Sequence, residues 1–329
     1  MSIIEGDMNQ TGIVSHSNII RILGLLFVFL LVGCSKKGAN TAKEDAQHQE
    51  TSGVVSVEGA ELHYVIEGKG TPCLVLGHLE SERRILSQEL RNHFRFVFMD
   101  LRHEARSNSS LEISEITLDT YLDDIDKVRR TLGLDVTAVF GHSIHSYIAL
   151  EYARKYPKNT SHVIMTGNTP YRCTGKLADD FWESDASPER KMVLEENQGK
   201  IEEEEFDRMT PKERVVNTYL TMTPKLFYDP RYDLSWIYKV VESNQKISNH
   251  LFQVIFKDYD IARRPGRVET PVFLAIGRYD YLWPYFLWDD RKDVLPNLSY
   301  NLFEKSGHFP MVEEQELFDK KLIEWVKSH

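Results

Sequence analysis

A serine lies at a sharp turn between a predicted strand and a predicted helix. The apolar run 136–140 is typical of a buried strand, and the residues from Ser146 onward have the apolar spacing of a helix. Between them lies Gly141-His142-Ser143-Ile144-His145. Such a turn exposes the serine hydroxyl and places a helix amino terminus beneath developing negative charge. The pattern favours Ser143 as a nucleophile over the alternative that it only caps a helix.

Two further residues of catalytic type follow predicted strands in the second half of the chain. The run 271–276 is followed by Asp280, and the run 298–303 is followed by His308. Because the carboxyl ends of parallel strands meet at one edge of a sheet, we expect both side chains to lie close to Ser143. The sequence therefore predicts a catalytic triad of Ser143, Asp280 and His308.

From Leu74 to the C-terminus the chain resembles the α/β-hydrolase superfamily, nearest to capped esterases and proline-iminopeptidase-like members. Gly277-Arg278-Tyr279-Asp280 resembles the acid-bearing turn of the iminopeptidase branch, and Ser306-Gly307-His308-Phe309-Pro310 resembles the usual histidine loop. The resemblance implies an α/β fold with a mostly parallel eight-stranded sheet, helices on both faces and an inserted helical cap. It also implies that the backbone N–H groups of Ile144 and Leu79 form the oxyanion hole, and that no cofactor is needed.

The chain departs from the family pattern around the predicted site. Gly77-His78-Leu79 stands where His-Gly is common, and Asp100-Leu101-Arg102-His103-Glu104-Ala105-Arg106-Ser107 stands where Asp-x-Arg-Gly-x-Gly-x-Ser is common. His145 replaces a third glycine. We therefore expect four residues near the serine to shape the floor of the site: Gly77, His78, His142 and His145. A metal site built from the three histidines is disfavoured because they lack ligand spacing on a regular element, so no metal is predicted.

The alternation of strands and helices predicts a core in two parts, residues 53–168 and 268–329, with a helical cap at 169–267. Aromatic residues of the cap either line a substrate pocket or form its core, and we favour the core: Trp182, Tyr219, Phe227, Tyr228, Tyr232, Trp236, Phe252 and Phe256. The acidic run 202–205 with Asp207 is either an amine-binding patch or a solvated helix face, and we favour the second. A helix after the fourth strand is predicted to turn four charges outward: Asp123, Asp124, Arg129 and Arg130.

The N-terminal apolar run 22–32 has the length of a signal-peptide core and is too short for a comfortable membrane span. Leu31-Val32-Gly33-Cys34 resembles the bacterial lipobox, which implies lipid on Cys34. We predict a signal peptide at 1–33, a disordered tether at 34–52 and an exported lipoprotein anchored in the cell envelope. An uncleaved anchor and a plain signal peptide are the alternatives. Glu5 and Asp7 are unusual in a signal peptide and suggest that translation starts at Met8.

Charge and cysteine content limit the possible partners. The net charge of −10 argues against a nucleic-acid partner. Cys73 and Cys173 are expected to be unpaired structural residues.

The chain is predicted to be a serine hydrolase acting through an acyl-enzyme on a small carboxylic ester, because the iminopeptidase turn, typically Gly-Gly-Ser-Trp-Gly, is absent. An aminopeptidase or amidase acting on a short peptide, and a surface-tethered binding protein without activity, remain the alternatives.

Overall fold

The structure is a computed structural model that describes residues 51–105, 112–172, 175–238 and 244–329. The predicted signal peptide, Cys34, Cys173 and nearly all of the predicted tether lie outside these ranges. Across the described part of the chain, no helix combines the length and the apolar character that crossing a membrane requires.

An eight-stranded sheet forms the centre of the described chain. Its strands are β1 (Thr51–Val57), β2 (Ala60–Gly68), β3 (Thr71–Leu76), β4 (Phe94–Met99), β5 (Thr137–His142), β6 (Thr160–Thr166), β7 (Val272–Gly277) and β8 (Leu298–Phe303). They are ordered β1-β2-β4-β3-β5-β6-β7-β8. The β1–β2 and β2–β4 pairs are antiparallel, and all others are parallel. The predicted α/β fold with a mostly parallel eight-stranded sheet is confirmed.

Helices connect the strands. The α-helices are α1 (Leu79–Ile85), α2 (Leu118–Thr131), α3 (His145–Lys155), α4 (Gly175–Asp185), α5 (Pro188–Gln198), α6 (Glu203–Arg208), α7 (Pro211–Thr221), α8 (Thr223–Leu226), α9 (Ser235–Tyr238), α10 (Gln245–His250), α11 (Pro310–Glu313) and α12 (Gln315–Ser328). A π-helical turn spans Leu251–Ile255. Short 3₁₀ helices are Leu90–Asn92, Ile113–Glu115, Pro157–Asn159, Ile261–Arg263, Tyr285–Trp288 and Lys292–Val294.

The central strands are buried on both faces, which explains why their sequences are continuous apolar runs. In β3, Leu74 and Leu76 belong to one hydrophobic cluster, whereas Cys73 and Val75 belong to another. Helices α2 and α3 contribute apolar side chains to the first cluster, and α1 and α12 contribute to the second. The sheet is thus covered on both sides, and its carboxyl edge is left to carry the site.

Two of the four charges predicted to face outward from α2 are buried. Asp123 and Arg130 are exposed as predicted, but Asp124 and Arg129 are not. Asp124 accepts hydrogen bonds from Nε and Nη2 of Arg102, at 3.0 and 2.9 Å. Arg129 donates to Asp126 at 2.8 Å. Hydrophobic periodicity does not reveal such partners, although a charge can be buried when it is paired and hydrogen-bonded.

The first strand begins earlier than predicted. Thr51 and Ser52 pair with Ile66 and Val65 of β2, so the last two residues of the predicted tether belong to the sheet. Main-chain pairing, which needs no apolar side chain, extends the strand beyond the apolar run that was visible in the sequence.

Helices α4 to α10 lie between β6 and β7, where the alternation of strands and helices was expected to stop. Three of the aromatic residues there are buried as predicted: Trp182, Phe227 and Phe256. Tyr228 and Trp236 are among the exposed large side chains. Of the acidic run, the side chains of Glu202, Glu204, Glu205 and Asp207 are exposed, as expected for a solvated helix face.

Candidate active site

Ser143 occupies a strained turn immediately after β5. Its φ of 55° makes it the sole non-glycine residue with a positive φ in the described ranges. Its N–H donates to the carbonyl of Thr166 at 2.9 Å, and its carbonyl accepts from the N–H of Ser146 at 3.0 Å. These bonds hold the left-handed conformation, which is costly for a residue with a Cβ atom.

Gly141 allows this turn to form. A Cβ atom at that position would lie 2.3 Å from the carbonyl oxygen of His145 and 2.7 Å from the nitrogen of Ser146. The strand end and the first turn of α3 therefore pack backbone to backbone. This contact is the physical reason why a glycine precedes the serine by two residues.

Asp280 and His308 form a hydrogen-bonded pair at the carboxyl ends of β7 and β8. Nδ1 of His308 lies 2.6 Å from Oδ2 of Asp280, and both side chains are buried. Oδ1 of Asp280 accepts hydrogen bonds from the N–H groups of Leu282 and Trp283, at 3.1 and 2.9 Å. The backbone thus fixes the carboxylate, and the carboxylate fixes the imidazole ring.

The loop that carries His308 is held from two further directions. Glu313 accepts hydrogen bonds from the N–H groups of Gly307 and Tyr228, at 2.7 and 2.6 Å. Burial raises the pKa of Glu313 to about 8, and the two amide donors oppose that rise. The N–H of His308 also donates to the carbonyl of Leu226 at 2.6 Å.

A pocket of about 310 Å³ contains both Ser143 and His308. Residues from the sheet edge and its turns form one part of its lining, and residues from α7, α9, α10 and the following turn form the other. The full lining is His78, Ser81, Glu82, His103, Glu104, His142, Ser143, Ile144, His145, Val215, Tyr219, Tyr238, Gln245, Ser248, Asn249, Phe252, Gln253 and His308. Tyr219 and Phe252 therefore line the pocket, although core positions were favoured for them from the sequence.

Three of the four predicted near-site residues line this pocket: His78, His142 and His145. Gly77 is not among the lining residues. Nε2 of His142 lies 3.0 Å from the carbonyl oxygen of His308 and must carry a hydrogen there, because a carbonyl oxygen only accepts. Burial, with the nearby His308, lowers the pKa of His142 well below its usual value. His142 is therefore a neutral donor that supports the histidine loop.

The predicted oxyanion donors have different surroundings. Ile144 lines the pocket at the start of α3. The N–H of Leu79, in contrast, donates to Oδ1 of Asp100 at 3.1 Å, and Leu79 is not among the lining residues. The assignment of Leu79 as an oxyanion donor is therefore not supported, because its amide already has a carboxylate acceptor.

Three acidic or basic residues of the pocket have no role predicted from the sequence. Glu82 is buried, and burial raises its pKa to about 8. His103 and Glu104 lie beside His145, and burial is the main cause that lowers the pKa of His103 and raises that of Glu104. Burial also lowers the pKa of His145 to about 4. The sequence did mark His103 as unusual, because it stands where the family pattern Asp-x-Arg-Gly-x-Gly-x-Ser has its first glycine.

Comparisons with known proteins agree with this architecture. A family model described as the alpha/beta hydrolase fold matches residues 75–315. The AB hydrolase superfamily protein YclE of Bacillus subtilis (strain 168) is 34% identical over 280 residues, which cover 84% of this chain and 99% of that protein. A proline iminopeptidase of Clostridioides difficile (strain 630) is 24% identical over 302 residues, covering 85% and 99%. The structure of a thermophilic esterase from Thermogutta terrifontis superposes with a TM-score of 0.60 at 18% identity, covering 85% and 98%.

The family match spans most of the described chain, and the first of these relatives is similar over nearly its whole length. The sheet order and the strained turn at Ser143 are consistent with that family match. The chain therefore belongs to the α/β-hydrolase family of enzymes.

Proposed function

We propose that the protein is a serine hydrolase that uses Ser143, His308 and Asp280 and hydrolyses a small carboxylic ester through an acyl-enzyme. The observation that carries the proposal is that one pocket contains both a serine in a strained turn at the carboxyl edge of the sheet and a histidine that is hydrogen-bonded to a carboxylate. A serine hydroxyl is a poor nucleophile until a neighbouring base accepts its proton, and His308 is the base that this pocket supplies.

In the proposed mechanism, Nε2 of His308 accepts the proton of Ser143 as the serine oxygen attacks the substrate carbonyl. Asp280 keeps the proton of the imidazole on Nδ1 and stabilises the imidazolium that forms. The N–H of Ile144, at the amino terminus of α3, is the proposed donor to the oxyanion. The alcohol leaves with the proton from His308, and water then releases the acyl group with the same histidine as base.

We further propose that the helices between β6 and β7 act as a cap over the site. This proposal is supported by the lining of the pocket, to which α7, α9 and α10 contribute Val215, Tyr219, Tyr238 and Ser248. A cap excludes water and selects substrates by the shape of the space that it leaves.

Amide hydrolysis of the proline-iminopeptidase type is the second candidate. Two observations favour it: the proline iminopeptidase relative, and the buried carboxyl groups of Glu82 and Glu104 in the pocket. A protonated substrate amine bound beside these groups would lower their pKa values, which burial raises, and would pair with their carboxylate form. Ester hydrolysis ranks first because none of the described side chains of the acidic run 202–205, where an amine-binding patch was considered, lines the pocket.

The test is covalent labelling followed by turnover assays. The full-length protein is treated with a fluorophosphonate, the adduct is read by intact mass, and rates are measured on short-chain aryl esters and on N-terminal prolyl amides. We expect one adduct per chain and faster ester turnover. Ser143→Ala and His308→Ala should each abolish labelling and lower kcat by at least about 1,000-fold.

Ser248→Ala is the matched control, because Ser248 also lines the pocket but lies on α10. It should be labelled by the fluorophosphonate as the unsubstituted protein is, because it keeps Ser143 and His308. Labelling that persists in Ser143→Ala would refute the assignment of the nucleophile. A folded protein that neither labels nor hydrolyses either panel would favour the binding-protein alternative.

We also propose that the protein is exported and anchored through lipid on Cys34. The support is the apolar run 22–32 followed by Leu31-Val32-Gly33-Cys34. In that case the catalytic unit works at a membrane surface in the cell envelope.

A further inference from the structure

Three potential metal ligands converge in the pocket that contains Ser143. Nε2 of His103 lies 3.3 Å from Nε2 of His145. Oε1 of Glu104 lies 3.6 Å from each of these two nitrogens. The three atoms form a nearly equilateral triangle, and all three side chains are largely buried.

The size of this triangle fits a small divalent cation. Zn²⁺ binds imidazole nitrogen and carboxylate oxygen at about 2.0–2.2 Å, and a tetrahedral arrangement then separates neighbouring donor atoms by about 3.3–3.5 Å. The observed separations of 3.3, 3.6 and 3.6 Å lie at or just above this range. Two imidazoles and a carboxylate are a donor set found in zinc sites, and one that other divalent transition metals also accept.

The surrounding backbone positions the three side chains that form this cluster. His103 and Glu104 follow β4 in a turn whose backbone makes two hydrogen bonds. The N–H of Glu104 donates to the carbonyl of Leu101 at 2.8 Å, and the N–H of Asn244 donates to the carbonyl of His103 at 2.7 Å. Oε2 of Glu104 accepts from the N–H of Leu101 at 3.4 Å, which turns Oε1 toward the histidines. His145 is the first residue of α3.

Carboxyl groups surround this point, and a bound cation would favour their charged form. Asp100 and Glu82 lie close enough to Glu104 to raise the pKa of its carboxyl group, after burial, which is the larger cause. Neutral imidazole is the form that binds metal ions, and burial disfavours the charged form of both rings. Two of the three replaced glycines, at His103 and His145, are the residues that supply these imidazoles.

From this geometry we propose that His103, Glu104 and His145 form a binding site for one divalent transition-metal ion, with Zn²⁺ the best match. Three protein ligands leave a fourth position for water or for an oxygen atom of a substrate. All three residues line the same pocket as Ser143, so the ion presents a positive charge to carbonyl or carboxylate groups bound there. Nδ1 of His103 has no hydrogen-bond partner in the described ranges, and we therefore expect micromolar rather than nanomolar affinity.

The first experiment measures metal binding directly. The full-length protein, purified without a histidine tag and stripped with a chelator, is titrated with Zn²⁺ against a chromophoric competitor. We expect one equivalent per chain from this site. His103→Gln, Glu104→Gln and His145→Gln should each weaken binding by at least about tenfold.

His93→Gln is the matched control, because Nε2 of His93 also lies 3.2 Å from a glutamate oxygen, that of Glu89, but at an exposed surface position. It should bind Zn²⁺ as the unsubstituted protein does. Absence of saturable binding, or equal affinity in the three pocket variants and the control, would overturn the proposal.

A second measurement needs no variant and so does not depend on whether the substitutions fold. X-ray absorption at the zinc edge of the unsubstituted complex should show nitrogen and oxygen neighbours with two imidazoles. A sulfur neighbour, or an all-oxygen shell, would contradict the assignment.

The metal site and the proposed hydrolase function fail independently. Ser143→Ala should bind Zn²⁺ with unchanged affinity while it loses turnover. If labelling of Ser143 fails but Zn²⁺ binds at His103, Glu104 and His145, the inference stands without the serine mechanism. If labelling succeeds and the pocket variants bind Zn²⁺ normally, the inference falls and the mechanism stands.

Discussion

At the scale of single residues, Ser143 combines a reactive position with a backbone conformation that favours glycine. Its φ of 55° lies in the left-handed region, which costs a residue with a Cβ atom about 1–2 kcal/mol. The surrounding bonds to Thr166 and Ser146 maintain this conformation. The strain is thus stored at the residue that we propose to be the nucleophile, as is common at functional sites.

This strain predicts that Ser143→Gly is more stable than Ser143→Ala. Both substitutions remove the hydroxyl group, but only glycine adopts the left-handed conformation without cost. We expect the free energy of unfolding of Ser143→Gly to exceed that of Ser143→Ala by about 1 kcal/mol, measured by urea denaturation. Both variants should be inactive. Equal stabilities would mean that the turn relaxes when the serine is replaced.

The sequence allowed the residues of the proposed triad to be singled out because each of them lies within five residues of the end of a strand. It did not allow the environment of His145 to be predicted. Only the folded sheet brings the turn after β4 beside the start of α3, and with it His103 and Glu104 beside His145. Similarly, the acceptor of the Leu79 amide is a carboxylate 21 residues away in the chain.

At the scale of elements, a buried ion pair joins the turn after β4 to helix α2. Arg102 is 1% exposed and makes two hydrogen bonds to Asp124, and its Nη1 donates to the carbonyl of Glu58 in the β1–β2 turn at 2.6 Å. Arg102 therefore ties three elements together directly beside His103. The periodicity of α2 predicted the exposure of Asp123 and Arg130 correctly, but the pairing partner of Asp124 comes from a different element.

We expect Arg102→Met to lower the free energy of unfolding by about 3–5 kcal/mol, because it leaves the Asp124 carboxylate buried without its partner. The double variant Arg102→Met/Asp124→Leu should recover much of that loss, since it removes both charges. Chemical denaturation of the two variants and of Asp124→Leu alone gives the free energies of unfolding that a double-mutant cycle requires. A double variant that is no more stable than Arg102→Met would show that the pair contributes through its contact with Glu58 instead.

At the scale of the whole molecule, the described elements form a unit that begins close to the first strand. Gln47–His329 form one compact unit, and the two hydrophobic clusters described above lie within it. The chain order of strands predicted the fold well because parallel strands with helical connections leave few possible topologies. The edge of the sheet was less predictable, because β1 pairs through its backbone and starts before its apolar residues.

This organisation predicts that residues 1–46 serve location and not catalysis. A chain that starts at Gln47 should keep the unfolding midpoint and the turnover of the full-length protein, because it retains every described strand and helix. If Cys34 carries lipid, this shorter chain and Cys34→Ser should both leave the membrane fraction that holds the full-length protein. The measurements are thermal unfolding, ester hydrolysis and fractionation of cells of the native host.

A chain that starts at Glu58 is the control: it loses β1, the seven residue pairs that β1 forms with β2 and the buried Val55, so its unfolding midpoint should fall clearly. Loss of folding or of turnover in the chain from Gln47 would show that the N-terminal segment stabilises the enzyme, and retention of that chain in the membrane fraction would place the membrane contact elsewhere.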